Sequence, residues 1–152
     1  MTKRIGILVV LAAISAACAS TEARQVKTYD AELQGMLGRN EADVTALIAK
    51  SWQFGLLDRW SGDNPSVEAV LKNNFRRLGF TKSEAGRIFA EPGAYRVLLY
   101  TKPLAREEVR TGQIDSLGGG IIGTEDRHQE VTNGFIRIVF KDGKLVHVRV
   151  ST

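Results

Sequence analysis

Cys18 is the only cysteine of the chain and the residue with the most distinctive chemistry. A thiol can bond to a second thiol, attack a substrate or carry an acyl chain. A single cysteine cannot form a disulfide within one chain. Cys18 directly follows the small residues Ser15-Ala16-Ala17, which end the apolar segment 5–14. This placement favours acylation of the sulfur, and we predict that Cys18 is a lipidation site.

Residues 1–17 have the three regions of a secretory signal peptide, with Lys3 and Arg4 as the cationic start. The segment resembles the leaders of bacterial lipoproteins, and Ala16, Ala17 and Cys18 carry the likeness. Ser15 stands where those leaders usually have Leu. The resemblance implies cleavage before Cys18 and acyl chains such as palmitate on its sulfur. In Gram-negative lipoproteins a residue other than Asp after the cysteine goes with sorting to the outer membrane, and here that residue is Ala19.

The leader also allows a second interpretation, in which an ordinary signal peptidase cuts at an A-x-A site and the protein is soluble in the periplasm or secreted. A retained membrane helix is not expected. The apolar stretch is shorter than the roughly 20 residues that span a bilayer.

A glycine-rich motif, Gly118–Gly123, matches the G-x-G-x-x-G pattern of dinucleotide sites. Such a site needs a strand before the motif and a helix after it, and neither is predicted here. We therefore predict no nucleotide cofactor. Leu117, Ile121 and Ile122 place apolar side chains in the same segment, so we predict a loop that contacts a membrane or a partner.

Acidic residues surround His128 in the segment Glu125–Glu130. A metal site usually needs three or more protein ligands, and His147 is too far along the chain to provide ligand spacing. Alternation along the last strand places His147 outward. We expect no catalytic residue and no metal site, although a hydrolase that uses His128 is an alternative hypothesis.

Removal of residues 1–17 from the 152-residue chain leaves 135 residues and lowers the formal net charge from +4 to +2. That length suits one domain with one core. The charge gives no reason to expect nucleic-acid binding. Residues 18–27 are polar and without periodicity, which indicates a lipidated cysteine followed by a flexible tether. The folded domain is predicted over residues 28–152.

Apolar residues recur at helical spacing in four segments, and a weak repeat relates residues 37–50 to residues 78–91. In each copy a Gly is predicted to end one helix, and Asn40 or Thr81 to cap the next. A further helix is predicted after Asn64-Pro65. The sequence therefore predicts a helix-turn-helix unit that occurs twice. Capping preferences alone would also produce this pattern.

Strands are predicted at residues 94–101, where Pro103 ends the strand, and in a hairpin around Asp142-Gly143. Residues 102–133 are expected to be mostly irregular, with a ragged strand near Glu108–Ile114. A three-residue loop, 141–143, would pair Phe140 with residue 144 and Ile138 with Val146, which places both apolar sets on one face. We predict a type I turn with Gly143 in a left-handed bulge position.

These elements predict an α+β domain. Two N-terminal helical hairpins pack on one face of a small antiparallel sheet of about three strands, which ends in a C-terminal β-hairpin. The segments Gly79–Glu84 and Phe140–Leu145 resemble motifs of small envelope lipoproteins of the SmpA/OmlA kind. The resemblance covers only these short segments. The expected function is that of a lipid-anchored, periplasm-facing structural or protein-interaction module, with the membrane and other envelope proteins as partners. A binding module for a small hydrophobic or envelope ligand is the alternative.

Overall fold

The computed structural model describes residues 21–111 and 126–152, with side chains for all of these except 105–111 and 126–130. The described residues form a mixed α+β fold, as predicted. The helices are α1 (Thr21–Gln34), α2 (Glu41–Ala46), α3 (Val67–Lys72) and α4 (Lys82–Ile88), and a π-helical turn (Leu47–Ser51) follows α2. The strands are β1 (Gly55–Asp63), β2 (Ala94–Thr111), β3 (Asp126–Lys141) and β4 (Lys144–Ser151). They form one antiparallel sheet in the order β1-β2-β3-β4.

Strand β1 is the element that the sequence did not predict, so the expected sheet of about three strands has four. It is an edge strand with most of its residues exposed, and it therefore lacks the apolar alternation that marks a half-buried strand. Leu57 is an extra residue opposite the Tyr100–Leu99 step of β2. The Asp58 carboxylate accepts a hydrogen bond from the backbone N–H of Arg59 at 2.8 Å. The outer edge of β1 is thus irregular, and a side chain of β1 accepts one of the strand's own backbone hydrogen bonds.

The prediction that helices pack on one face of the sheet was wrong, because helices cover both faces. On the first face, α1, α2 and the π-helical turn contribute Leu33, Val44 and Ile48 to a core that we call the first core. Its sheet residues are Leu98, Tyr100, Leu104, Ile136, Ile138, Phe140, Leu145 and Val148.

The second face carries the second core, which α3, α4 and the loop between them cover. The helix and loop residues are Val70, Phe75, Leu78, Phe80, Ala85 and Phe89. The sheet residues are Tyr95, Val97, Leu99, Phe135 and Val139. Burial on both faces explains why β2 and β3 read as nearly continuous apolar runs.

Helix α1 begins at Thr21, inside the segment predicted as a tether. Val26 and Tyr29 pack against the first core, and Leu33 is fully buried there. The apolar contacts at a helical spacing hold these turns on the sheet. Residues 21–27 are therefore helical rather than irregular, and the domain starts earlier than residue 28.

The two halves of the sequence repeat differ in their turns. Gly38 has φ of 83° and ends the chain reversal after α1, whereas Gly79 shows no positive φ. Thr81 and Glu84 form a capping box at the start of α4, as the sequence predicted. Asn40 makes no capping hydrogen bond and instead accepts one from Lys144 on β4. Only the second copy therefore has the predicted helix start.

Helix α3 is capped by Ser66, whose hydroxyl accepts a hydrogen bond from the N–H of Ala69 at 3.2 Å. Asn64, after which the helix was predicted to begin, has φ of 44° and its side chain accepts a hydrogen bond from the N–H of Gly93 at 2.7 Å. The helix ends at Lys72, so Phe75 and Leu78 reach the second core from a loop.

The C-terminal hairpin turns at Asp142-Gly143, where φ is 51° and 78°. Lys141 pairs with Lys144, so the loop has two residues with positive φ, as in a type I′ turn, and the predicted three-residue loop was wrong. A bulge at Val146 then shifts the register, so that Ile138 pairs with Val148. Val146 is exposed and Leu145 takes its place in the first core. The protein thus reaches a common apolar face through a bulge rather than through loop length.

Strands β2 and β3 continue as a pair beyond the rest of the sheet. Thr101 is the last β2 residue that pairs with β1, and Phe135 is the first β3 residue that pairs with β4. Residues 102–111 and 126–134 pair only with each other within the described chain, with an irregularity after Pro103. We call this two-stranded extension the ribbon. The prediction that Pro103 ends the strand was wrong, because Pro103 pairs with Asn133 and the register shifts only after it. The described parts of 102–133 are strand rather than irregular, and residues 108–111 of the predicted ragged strand belong to β2.

Candidate functional site

Arg137 is the one buried charged residue among those with described side chains. It lies in the middle of β3 and belongs to the second face, between Phe135 and Val139. Its Nη1 donates a hydrogen bond to the carbonyl oxygen of Leu78 at 2.6 Å, and its Cζ lies 3.8 Å from the centre of the Phe80 ring. Its Nε is buried without a hydrogen-bond partner. A backbone carbonyl and an aromatic face therefore hold a guanidinium inside the core.

Glu84 is the counter-ion of Arg137, with Oε1 3.2 Å from Nη2. The same carboxylate accepts the backbone N–H of Thr81 at 3.0 Å and lies 3.3 Å from the Nη1 of Arg149. Burial opposes ionisation of Glu84, but the Thr81 hydrogen bond and the charges of Arg137 and Arg149 outweigh it and lower its pKa. One carboxylate thus joins the start of α4 to β3 and β4.

His147 completes the group that we call the arginine cluster: Glu84, Arg137, His147 and Arg149. Its Nε2 lies 3.3 Å from the Nη2 of Arg137. A guanidinium has no acceptor atom, so Nε2 must accept this hydrogen bond and the ring must carry its proton on Nδ1. Burial, together with the charge of Arg137, lowers the pKa of His147 to about 4. His147 is therefore neutral at pH 7, and its 4.0 Å approach to Glu84 is not an ion pair.

The arginine cluster is built to hold charge rather than to transfer protons. A general base works best with a pKa near the operating pH and with a free lone pair. His147 has neither, because Arg137 occupies Nε2 and its pKa is about 4. Burial lowers the pKa of Arg137 to about 10, so its guanidinium stays charged at neutral pH. The arrangement fastens α4 to the sheet.

His147 was predicted to face outward. It does face away from the first core, but α4 covers that side of the sheet, so the side chain is only 16% exposed. His128 lies in β3 and pairs with Val109 in the ribbon, and its side chain is outside the described set.

Cys18 and the predicted interaction loop, Leu117, Ile121 and Ile122, lie outside the described residues, as do Gly118–Gly123. Their predicted roles stay predictions. The ribbon is the part of the described chain that leads toward residues 112–125.

Lys72 pairs with Glu68 across an exposed helix turn at 3.2 Å, and Arg77 lies over the Phe135 ring at 5.5 Å. Trp52 and Trp60 are partly buried and pack at the edges of the first and second core, respectively. Trp52 packs on Tyr29 and Trp60 on Phe89.

An open cleft of about 580 Å³ lies where α1 begins. It is bordered by the first turns of α1, by Thr132 in the middle of β3 and by the end of β4. The lining residues are Glu22, Ala23, Val26, Lys27, Thr132, Ser151 and Thr152. We call this side of the domain the α1 end. The opposite side, with Asp142, Gly143 and the start of α2, is the turn end, since Glu41 donates to the carbonyl of Gly143 at 3.0 Å.

Within residues 21–111 and 126–152, no three metal-ligating side chains converge. The helices in these ranges are too short or too polar for any of them to cross a bilayer. No known family model, curated protein or solved structure matches the chain. The likeness to SmpA/OmlA-type lipoproteins therefore stays a prediction from two short motifs.

Arg137 is the site residue that sequence reasoning missed. Sequence alternation assigned an apolar face to this strand through its neighbours Ile136 and Ile138 and gave Arg137 no role. The signal lay two residues to each side, because Phe135 and Val139 put large apolar groups on the same face. A charged residue flanked in this way belongs to a covered face and needs partners there.

Proposed function

We propose that this protein is a bacterial envelope lipoprotein, anchored through acylated Cys18, which acts as a structural or protein-interaction module and not as an enzyme. The observation that carries the proposal is the order of segments in residues 1–18: a cationic start, an apolar run, small residues and the only cysteine. An outer-membrane position facing the periplasm agrees with Ala19 after the cysteine.

The start of the fold is consistent with such an anchor. Helix α1 begins three residues after Cys18, and that length of chain reaches roughly 10 Å when extended. The folded domain would lie close to its lipid. A domain held in this way meets other envelope proteins at the membrane surface.

The described polar groups favour an interaction role over hydrolysis. In the arginine cluster the histidine is neutral, and its Nε2 already accepts a hydrogen bond from Arg137. A hydrolase based on His128 remains the competing hypothesis. Loss of a metal-dependent turnover in His128→Ala would support it.

The anchor can be tested by replacing Cys18 with Ser in the native host. We expect the variant to lose incorporation of a labelled fatty acid and to leave the membrane fraction, because serine lacks the sulfur that carries the lipid. Ser20→Ala is the matched control, since it alters a neighbouring residue and keeps the thiol. An unmodified amino terminus in the wild-type protein, or membrane sedimentation of Cys18→Ser equal to wild type, would contradict the proposal.

The alternative, a periplasmic binding module for a small hydrophobic or envelope ligand, is supported by the cleft at the α1 end. Its volume of about 580 Å³ falls within the range of ligand pockets. Native mass spectrometry of protein purified from its own envelope tests this role. A bound molecule of constant mass that is lost in Val26→Glu, but kept in the exposed-site control Asp43→Ala, would favour the alternative.

A further inference from the structure

The ribbon has two strands, whereas the body of the sheet has four. Within residues 21–111 and 126–152, no third strand pairs with either long edge of the ribbon. A two-stranded antiparallel pair is at best marginally stable in water when no further strand or helix packs against it. A further strand along one edge would therefore stabilise the ribbon.

The two edges of the ribbon differ in how well they can accept such a strand. The β2 edge contains Pro103, which has no N–H to donate, and β2 has one extra residue between Pro103 and Arg106. Proline and bulges are features that protect an edge from pairing. β3 has neither over residues 126–134, since it advances by two residues where β2 advances by three. The β3 edge of the ribbon is therefore the one that is open to regular pairing.

We propose that a second copy of this chain pairs with the β3 edge of the ribbon, antiparallel to it, about a two-fold axis beside Gln129. The two ribbons then form one four-stranded sheet with the two β3 strands in its middle. This dimer goes beyond the proposed anchoring at Cys18 and does not depend on it.

The order of residues in β3 favours this axis. With the axis at Gln129, His128 lies opposite Glu130 of the second copy, and symmetry repeats this pair. A histidine can donate a hydrogen bond to a carboxylate in either of its charge states. Arg127 lies opposite Val131 of the second copy, and Val131 is exposed in the single chain. Over residues 126–132 of β3, no like charges stand opposite each other in this register.

The neighbouring registers are less favourable. An axis at residue 127 or 130 sets two identical charges opposite each other, and an axis at residue 128 sets Asp126 opposite Glu130 of the second copy. Like charges in directly opposite positions destabilise a sheet. An axis at residue 131 would place residue 127 of the second copy beside Phe135, where β4 already pairs. Among residues 127–131, only Gln129 gives an axis that agrees with both the charges and the position of β4.

The symmetry of this dimer agrees with the proposed anchor. A two-fold axis between antiparallel neighbours is normal to the sheet, so the first faces of both copies point to the same side. Helix α1 packs on the first face in each copy. Both chains therefore present α1 toward the same side, and both lipids can enter one bilayer.

Cysteine crosslinking in the full chain with Cys18→Ser tests the pairing, because an introduced cysteine is then the only thiol. Directly opposite residues of an antiparallel pair have Cα atoms about 4.5–5.5 Å apart, which a disulfide can bridge. We expect Gln129→Cys to form a disulfide-linked dimer under mild oxidation. Val109→Cys is the matched control, because Val109 pairs with His128 on the other edge of the ribbon. Its two copies would be more than about 14 Å apart in the dimer, so this variant should stay monomeric under the same oxidation.

Charges at the axis test the same geometry without a crosslink. Gln129→Lys sets two ammonium groups opposite each other, and we expect a several-fold higher dimer dissociation constant in sedimentation equilibrium. An equimolar mixture of Gln129→Lys and Gln129→Glu should dimerise more tightly than either variant alone, which an unfolded variant could not do.

Three results would overturn the dimer: a Cys18→Ser chain that stays monomeric at millimolar concentration, a disulfide at position 109 but not at position 129, or no gain in the mixture. The chains in these experiments carry no lipid, so failure of the dimer leaves the proposed anchor standing. Failure of acylation in the native host leaves the dimer standing.

Discussion

Alternate residues of the same strands form the two faces of the sheet, but the two faces bury different kinds of side chain. On the first face, Ile136 and Ile138 are fully buried among apolar side chains. On the second face, Arg137 stands between them in sequence and is just as buried. The first core excludes charge, whereas the second core encloses one charge and surrounds it with partners.

This difference shows which contacts fix the position of a helix on the sheet most strictly. Apolar contacts tolerate sliding and substitution of similar volume. A buried guanidinium is stable only where its donors meet acceptors, and the cost of leaving it unpaired is high. Arg137 meets the Leu78 carbonyl and Glu84, so the loop before α4 and the first turn of α4 have one allowed position on the sheet.

The largest effect is expected from Arg137→Ala. The substitution leaves the Leu78 carbonyl and Glu84 without their partner and opens a cavity, and we expect a loss of about 3–5 kcal/mol in the free energy of unfolding. Urea denaturation measures it. Arg137→Met, which restores volume without charge, should recover part of the loss, and the exposed Arg76→Ala should change little. A loss below about 1 kcal/mol for Arg137→Ala would mean that both faces are held by apolar packing alone.

Acid should weaken the second face before the first. The folded pKa of His147 is about 4, below its ordinary value of 6.5, so the unfolded chain binds more protons between these values. The stabilisation is complete above pH 6.5 and is lost as the pH falls toward 4, by at most about 3 kcal/mol. Glu84, whose pKa is also lowered, adds to the loss below its ordinary value of 4.5.

Hydrogen exchange at pH 7 and pH 4.5 distinguishes the two faces. We expect the amides of α4 to lose protection at the lower pH while those of α1 keep theirs. His147→Gln is the matched variant, because its amide oxygen can accept from Arg137 and does not titrate in this range. Equal loss of protection in α1 and α4, or the same acid dependence in His147→Gln, would rule out His147 as the cause.

The smallest effects come from two glycines beside the second core. A Cβ at Gly79 would lie 2.2 Å from the Asn74 Oδ1, which accepts the N–H of Phe80 at 2.6 Å, so Gly79→Ala must break that bond. We expect a loss of about 2 kcal/mol. Gly86 lies in α4 with no atom near its Cβ position, and Gly86→Ala should gain about 1 kcal/mol through helix propensity. Thermal unfolding of the pair checks both signs, and a loss in each variant would contradict this account.

Local chemistry predicted the parts of the fold that depend on neighbours in sequence. Thr81 and Glu84 predict a capping box, and Asp142-Gly143 predicts a tight hairpin turn. Both features depend only on residues that are close together in sequence. The register of that hairpin was missed, since the bulge at Val146 depends on which valines the first core accepts. Strand β1 was missed because its pairing partner, β2, fixes its conformation from far along the chain.

The candidate functional residues also differ in whether their sequence neighbours reveal them. Cys18 could be proposed from its immediate neighbours in the leader. Arg137 and His147 could not be joined to Glu84 without the knowledge that α4 covers the second face, because 53 residues separate Arg137 from Glu84. Sequence alternation placed His147 on the correct face of the sheet, but it predicted that this face is exposed to solvent, whereas α4 covers it.

The irregular outer edge of β1 has a consequence for the proposed anchoring of this protein to a membrane surface. Molecules that diffuse in two dimensions collide often, and a regular unpaired strand would recruit the same strand of a neighbour and start an ordered aggregate. Here the extra residue Leu57 breaks the repeat of backbone groups, and Asp58 already occupies the N–H of Arg59. Crowded copies can therefore touch along this side without fusing into a fibril.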